Sequence, residues 1–365
     1  MLTSDTLQDM ADDIFKNEAE EAEEAEEEIG FLQFSLNGKS EQMKKDMQNE
    51  VHIMQNIALL GQITVIYAKP NTGKTLLTMK LLMDAVKSDV INGNDLFYLN
   101  CDDTYRGLIE KIELAEKCGF HMLAPSHSGF EIKDFVKHMN NLIRKDLARG
   151  KIIVLDTLKK FTNLMDKNKS TDFMNTARSW ATHGGSIILL AHTNKNRDGN
   201  GKAVAGGTSD IIDDGDCAYI LDEVSHIEEV KSIMFENIKL RGDVSNEVAF
   251  TYSTRKGQTY EERVNSIEAL DEEQTKAAKT ILEREEEVAK DQPIIDSIID
   301  ALLQHNYLKS DLVKLVNKES GFSIRKINVV LSKYEGKNFF SDKWHIENGD
   351  KNTKIYTLLN NSSYH

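Results

Sequence analysis

Five short apolar runs fix the class of fold open to this chain: Ile63–Ala68, Leu96–Cys101, Ile152–Asp156, Ile187–Ala191 and Ala218–Leu221. They are nearly continuous in β-branched and aliphatic residues, as expected of strands with helices on both faces. Helical patterns fill the gaps between them, and strand alternating with helix predicts an α/β fold with a mainly parallel, twisted sheet. Two further segments, 231–241 and 246–253, read as a strand pair joined around Gly242.

The first run leads into Ala68-Lys69-Pro70-Asn71-Thr72-Gly73-Lys74-Thr75, and Leu76-Leu77-Thr78-Met79 then starts a helix. This is the strand–loop–helix setting of a P-loop, in which a helix N-terminus and inward-pointing backbone N–H groups face an anion. Gly73 lets the chain come close to phosphates, Lys74 supplies a point charge to the β/γ-phosphates, and the Thr75 hydroxyl suits a magnesium ligand. The first glycine of the usual pattern is Ala68 here, while Asn71 tolerates a left-handed conformation.

Other strand ends fall at the same edge of a parallel sheet. Asp156 closes Lys151-Ile152-Ile153-Val154-Leu155-Asp156, where a carboxylate can hold magnesium through water. Asp102 and Asp103 follow Leu99-Asn100-Cys101; one of them can deprotonate an attacking water, or they cap a helix beginning near Thr104. His192, before Thr193-Asn194-Lys195, suits a γ-phosphate sensor or is a plain buried histidine.

Composition excludes less than it first suggests. The net charge of -15 is concentrated in residues 1–30, where twelve acids face only Lys16, a local -11 that leaves -4 elsewhere. Such a block repels itself and stays solvated, or docks on a basic partner. Cys101, Cys118 and Cys217 are odd in number and widely spaced, which points to reduced thiols of a cytoplasmic protein and away from zinc. No apolar run reaches the length of a membrane span, and no signal peptide is evident.

The pattern divides the chain into an acidic tail (1–39), an amphipathic helix (40–59), an ATPase core (60–258), a charged helical linker (259–292) and a C-terminal unit (293–365). Met43, Met47, Val51, Met54 and Ile57 carry the helical period of 40–59. Pro293 marks the start of helices at 293–305, 310–319 and 323–334. Strands at 339–346 and 353–359 follow, around Asn348-Gly349-Asp350. Three helices and a hairpin make a winged helix, with Arg325, Lys326 and Lys333 on its recognition helix, for DNA or for a protein partner.

Taken together, these motifs resemble the RecA/DnaB superfamily, and within it the RepA-type hexameric replicative helicases of plasmids and phages, over about residues 60–255. The resemblance implies a RecA-like core using ATP and Mg²⁺. It implies Asp102 where that family carries a glutamate, a Walker B segment at Leu155-Asp156-Thr157-Leu158-Lys159-Lys160-Phe161, and a sensor segment at His192-Thr193-Asn194-Lys195. Asn237-Ile238-Lys239-Leu240-Arg241-Gly242 resembles the finger that ring ATPases insert into a neighbour's site, so Lys239 and Arg241 are expected to act in trans from a homo-oligomeric ring. A charged exposed hairpin is the alternative there. Single-stranded DNA is the implied partner, met by loops at 162–172 and 194–207; Lys167, Lys169, Lys195, Arg197 and Lys202 are the expected contacts. A replication protein docking on the acidic tail or winged helix is a further expectation. A strand-exchange recombinase and a non-motor ATP-dependent regulator are the competing functions.

Overall fold

The computed structural model describes residues 30–47, 51–199, 202–336, 343–348 and 353–359. Most of the acidic tail, the 348–350 turn beyond Asn348, and the first residues of the 339–346 strand therefore lie outside the described residues.

The chain separates into a unit ending at Glu50 and a unit running from Val51 to His365. In the first, a 3-10 turn at Gly30–Phe34 precedes α1 (Ser40–Met47), which carries a Lys44–Glu41 ion pair of 3.0 Å. The helix expected to reach residue 59 does not. Residues 52–59 instead form a small antiparallel pair, β1 (His52–Met54) and β2 (Ala58–Leu59), turned at Asn56 with φ 57°. Asparagine enters the left-handed region at little cost. Ile53, Met54, Ile57 and Ala58 are fully buried, so a spacing that also fits a helix here serves a hairpin packed on the core.

The core is a nine-stranded sheet. Its elements are β3 (Ile63–Ala68), α2 (Lys74–Lys87), β4 (Leu96–Asn100), α3 (Tyr105–Cys118), β5 (His121–Leu123), α4 (Phe135–Arg144) and β6 (Ile152–Asp156). They continue with α5 (Lys167–Thr182), β7 (Ser186–His192), α6 (Asp210–Asp214), β8 (Cys217–Ile227), β9 (Val230–Lys239), β10 (Glu247–Ser253), α7 (Tyr260–Asn265) and β11 (Glu268–Ala269). The spatial order is β11-β10-β9-β8-β3-β7-β6-β4-β5; the six strands from β8 to β5 run parallel, and β9, β10 and β11 add antiparallel neighbours.

Strand alternation sends side chains to two separate cores. Ile66, Ile152, Val154, Ile188 and Leu190 pack with α2 and α3 residues such as Leu77, Leu81 and Leu114, joined by the β1–β2 pair. Val65, Tyr67, Ile153, Leu155, Ile187 and Leu189 pack on the other face with Met139, Phe173, Trp180 and Ile211. Because both faces are covered, β3, β6 and β7 are buried along nearly their whole length, which explains why they show as continuous apolar runs in the sequence.

The expected break at Pro293 is absent. A single helix, α8 (Glu272–Gln304), runs for 33 residues through Pro293, begun by a capping box between Asp271 and Gln274. A proline inside a helix removes one N–H and crowds the carbonyl four residues before it, here Ala289. Packing on both sides outweighs that cost. Ala278 and Leu282 join Val224, Met234 and Ala249 of the sheet, while Ile295, Ile298 and Leu302 are buried against the last helices. The expected linker also contains α7 and the edge strand β11 before α8 begins.

Beyond α8 come β12 (Tyr307–Leu308), α9 (Lys309–Ser320), α10 (Ile324–Lys333), β13 (Trp344–Asn348) and β14 (Lys354–Leu358), the strands ordered β12-β14-β13. Ser323 caps α10 by accepting from the Lys326 N–H, as its position before the apolar period predicts. Buried Trp344 donates its ring N–H to the Leu331 carbonyl at 2.9 Å. No helix among the described residues is long and apolar enough to cross a membrane.

Candidate active site

The C-terminal ends of β3, β4, β6 and β7 converge on one edge of the sheet, where ligands of open α/β sheets bind. A cavity of about 490 Å³ opens there, lined by Lys69, Pro70, Asn71, Gly73, Lys74, Thr75, Leu76, Asp102, Asp156, His192, Tyr252, Tyr260 and Arg263.

The loop after β3 is shaped by two left-handed residues, Asn71 at φ 65° and Gly73 at φ 100°. A side chain at Gly73 would be strained and would stand 3.0 Å from the Tyr252 ring, so the glycine is required by conformation and by space. Thr72 donates its hydroxyl to the Lys69 carbonyl at 3.0 Å and closes the turn. No side chain caps α2 at Gly73, which leaves its first-turn N–H groups for an anion.

Asp156, 3% exposed, is the hub of the site. One carboxylate oxygen accepts from the Thr75 hydroxyl at 2.6 Å and from the Tyr98 hydroxyl at 2.9 Å; the other lies 3.5 Å from Lys74 Nζ. Burial, reinforced by Asp156, pushes the Tyr98 phenol far above its ordinary range and keeps it a donor. A hydroxyl and a carboxylate this close suit a hard divalent cation that takes its remaining oxygens from phosphate and water, as Mg²⁺ does. The donor set therefore fits Mg²⁺ at Thr75 and Asp156. Among the described residues no cluster of three or more His, Cys, Asp or Glu forms a separate metal cage.

The two neighbouring acids part company. Asp102 lines the cavity, 3.9 Å from Lys159 Nζ and 3.9 Å from His192 Nε2. Asp103 is absent from the lining; it pairs with buried Lys111 and accepts from the Asn100 amide. Neither caps α3, whose N-cap is Thr104. His192 is half-buried, and burial, then Lys74 and Lys159, lower its pKa below the ordinary 6.5, so a neutral ring stands at the cavity. Cys101 beside Asp102 is free, and burial together with Asp156 pushes its thiol up to about 12.

Lys239 and Arg241 are not in this cavity. Lys239 pairs in register with Ala218 at the start of β8, whose Cys217 pairs with Thr64 at the start of β3. That is the opposite edge of the parallel strands from Lys74. There Lys239 donates to the carbonyls of Ile212 and Asp213, and Arg241 lies 3.4 Å from Asp216, which also binds Arg178 at 2.9 Å.

The residues expected to meet DNA are divided as well. Arg197 is turned back on the protein, 2.8 Å from buried Asp222 and 3.9 Å from Glu286 of α8. Lys202 pairs with Glu236 at 3.3 Å, Lys167 lies 3.7 Å from Asp210, and Lys333 bridges Glu287 and Asp291. Arg197 is thus pinned, because a half-buried guanidinium beside buried carboxylates is better paired than solvated, while Lys202 and Lys167 pair with acids from exposed positions. Lys195, Arg325 and Lys326 are exposed. A second cavity of about 690 Å³ adjoins His192 and is lined by Lys159, Lys160, Asn163, Lys169, Thr193 and Gly206 among others. Lys169, an expected contact, faces it, 3.9 Å from Asp166.

Several site residues carry no local sequence signal: Tyr98, Tyr252, Tyr260 and Arg263. Tyr252 and Tyr260 come from the strand and helix that the antiparallel extension brings back to the P-loop; Tyr252 OH lies 3.3 Å from the Thr72 carbonyl. Lys159 and Lys160 are marked by their place just after Asp156.

Residues 39–198 match the family model described as an AAA domain. The matched span carries the P-loop, Asp102, Asp156 and His192, and so marks a P-loop ATPase-like domain. No curated protein matches the chain.

Proposed function

We propose that this chain hydrolyses ATP in the cavity between its P-loop and Asp102, and uses the cycle to move along single-stranded DNA as a ring-forming helicase of a phage or plasmid replication system. The triangle of Lys74, Thr75 and Asp156 carries the first half of the reading: a lysine, a hydroxyl and a carboxylate meet at a helix N-terminus, as a magnesium–triphosphate requires. Thr75 and Asp156 would hold Mg²⁺, which would supply positive charge against the phosphates. Water attacks the γ-phosphorus, the bond to the β–γ bridging oxygen breaks, and Asp102 accepts the water proton. Lys74 and the α2 N–H groups hold the phosphate chain while negative charge gathers on the leaving diphosphate.

Lys239 and Arg241 lie at the far edge of the sheet, so they would complete a neighbouring protomer's site, not their own. The ring reading requires such a placement, and turnover would then depend on assembly. The DNA path would run over the second cavity, whose Lys159, Lys160 and Lys169 offer backbone-tracking charge beside His192. The C-terminal helices and strands would act as a winged helix presenting Arg325 and Lys326 on α10.

ATPase assays with and without single-stranded DNA, beside negative-stain imaging, test the reading. Closed rings with DNA-stimulated turnover and strand displacement are expected; open filaments on DNA would favour a recombinase instead. Arg241→Ala should bind ATP normally and lose about 10³-fold in turnover. Unchanged turnover would end the in-trans role.

A further inference from the structure

The nucleotide cavity has one wall that no motif marks. It is built by Tyr252 of β10 and by Tyr260 and Arg263 of α7. The helix is held rigidly: Thr259 and Glu262 form a reciprocal capping box, Val264 is fully buried, and the Tyr260 hydroxyl contacts Met79 Sδ of α2 at 3.6 Å. Lys111 Nζ sits 5.2 Å from the centre of the Tyr260 ring. The backbone that carries Arg263 is therefore fixed against the P-loop helix.

Arg263 differs from the other part-buried arginines. Arg178 is paired with Asp216 and Arg197 with Asp222, each within 3.0 Å. Arg263 enters no ion pair among the described residues, and its Nε is buried with no hydrogen-bond partner. A buried guanidinium N–H without an acceptor is costly, and the fork of donors matches phosphate oxygens bidentately. It lines the same cavity as Lys74 and Thr75.

We infer that Arg263 is a ligand, in the same chain, to the phosphate chain of the bound nucleotide. The inference rests on the proposal that this cavity takes a nucleoside triphosphate. Binding would then be completed within one protomer, by Lys74 from one side and Arg263 from α7, while hydrolysis awaits the neighbour's finger.

The test is calorimetric titration of the full chain with a non-hydrolysable ATP analogue and, separately, with inorganic tripolyphosphate, both with Mg²⁺. Arg263→Met keeps the aliphatic bulk and should weaken both ligands by about tenfold or more. Arg263→Lys should recover part of that loss and guards against a folding defect in the methionine variant, which circular dichroism melting checks directly. Wild-type affinity for both ligands in Arg263→Met would overturn the inference. So would a loss confined to the ATP analogue, which would mean contact with base or ribose. Lys74→Ala separates the two readings. If it binds as tightly as wild type, the nucleotide site itself is misassigned and Arg263 falls with it; if it loses binding while Arg263→Met does not, only Arg263 is wrong.

Discussion

The nucleotide cavity and the segment from His192 to Gly207 lie beside each other and share His192, yet they hold most of their charged groups differently. In the cavity, Lys74, Asp102, Asp156 and Arg263 point into space that a ligand can fill. In the segment, Arg197 is folded down on Asp222 and Glu286, while Lys202 pairs with Glu236 at the surface and Lys195 is exposed. The cavity charges line space that a ligand can fill, whereas Arg197 is held against buried carboxylates and serves structure. Sequence shows both alike, since lysine and arginine read the same in either setting.

The pair Asp102 and Asp103 gives the sharpest break between the two behaviours. Asp102→Asn should cut DNA-stimulated ATP turnover by about 10²-fold or more while leaving stability near wild type, as expected for loss of a general base. Asp103→Asn should do the reverse. It leaves buried Lys111 without its carboxylate and should cost about 2 kcal/mol in urea unfolding, less than a fully buried pair because Asp103 keeps some contact with water. If turnover falls equally in the two variants, the division between ligand-facing and structural acid is wrong.

The same contrast applies inside the segment, at smaller scale. Arg197→Ala strips buried Asp222 and Glu286 of their cation, and burial already pushes the Glu286 carboxyl above its ordinary range. A loss of about 1–3 kcal/mol in unfolding free energy should follow. Lys195→Ala should stay within about 0.5 kcal/mol of wild type. It should instead weaken single-stranded DNA binding and reduce the salt slope by about 0.7. Equal stability for the two variants would mean that Arg197 is not held down in solution.

Much of the fold was legible because burial on both faces writes itself locally. Ile63–Ala68 and Ile152–Asp156 are strands with the bounds their apolar runs predict, and the loop between β3 and α2 keeps its expected setting. What could not be read depends on distant partners. The run of residues 52–59 is helical in period, and only packing on α2 and β3 makes it a hairpin turned at Asn56. Pro293 ends a helix locally, yet two separate apolar contacts carry α8 through it. At the site, Asp156 and Thr75 were marked by motif. Tyr252 and Arg263 reach the cavity from beyond residue 250 only because β8, β9 and β10 extend the sheet sideways, bringing β10 and α7 back over the P-loop.

His192, common to both regions, offers the smallest expected effect and a check on how the cavity treats charge. Its pKa is lowered below 6.5 by burial first and then by Lys74 and Lys159, while Asp102 opposes the shift. The folded state thus binds this proton less readily than the unfolded chain. The neutral ring costs nothing above pH 6.5. As pH falls below that value the unfolded chain takes the proton first, and stability is lost until the folded ring is protonated too. Urea midpoints at pH 7.5 and pH 5 should therefore drop further for wild type than for His192→Gln, which lacks the titration. Adding Asp102→Asn to wild type removes the one opposing charge, lowers the His192 pKa further and should widen the drop. Parallel pH curves for wild type and His192→Gln would mean that the ring is solvated like any surface histidine, and that the cavity's cations do not reach it.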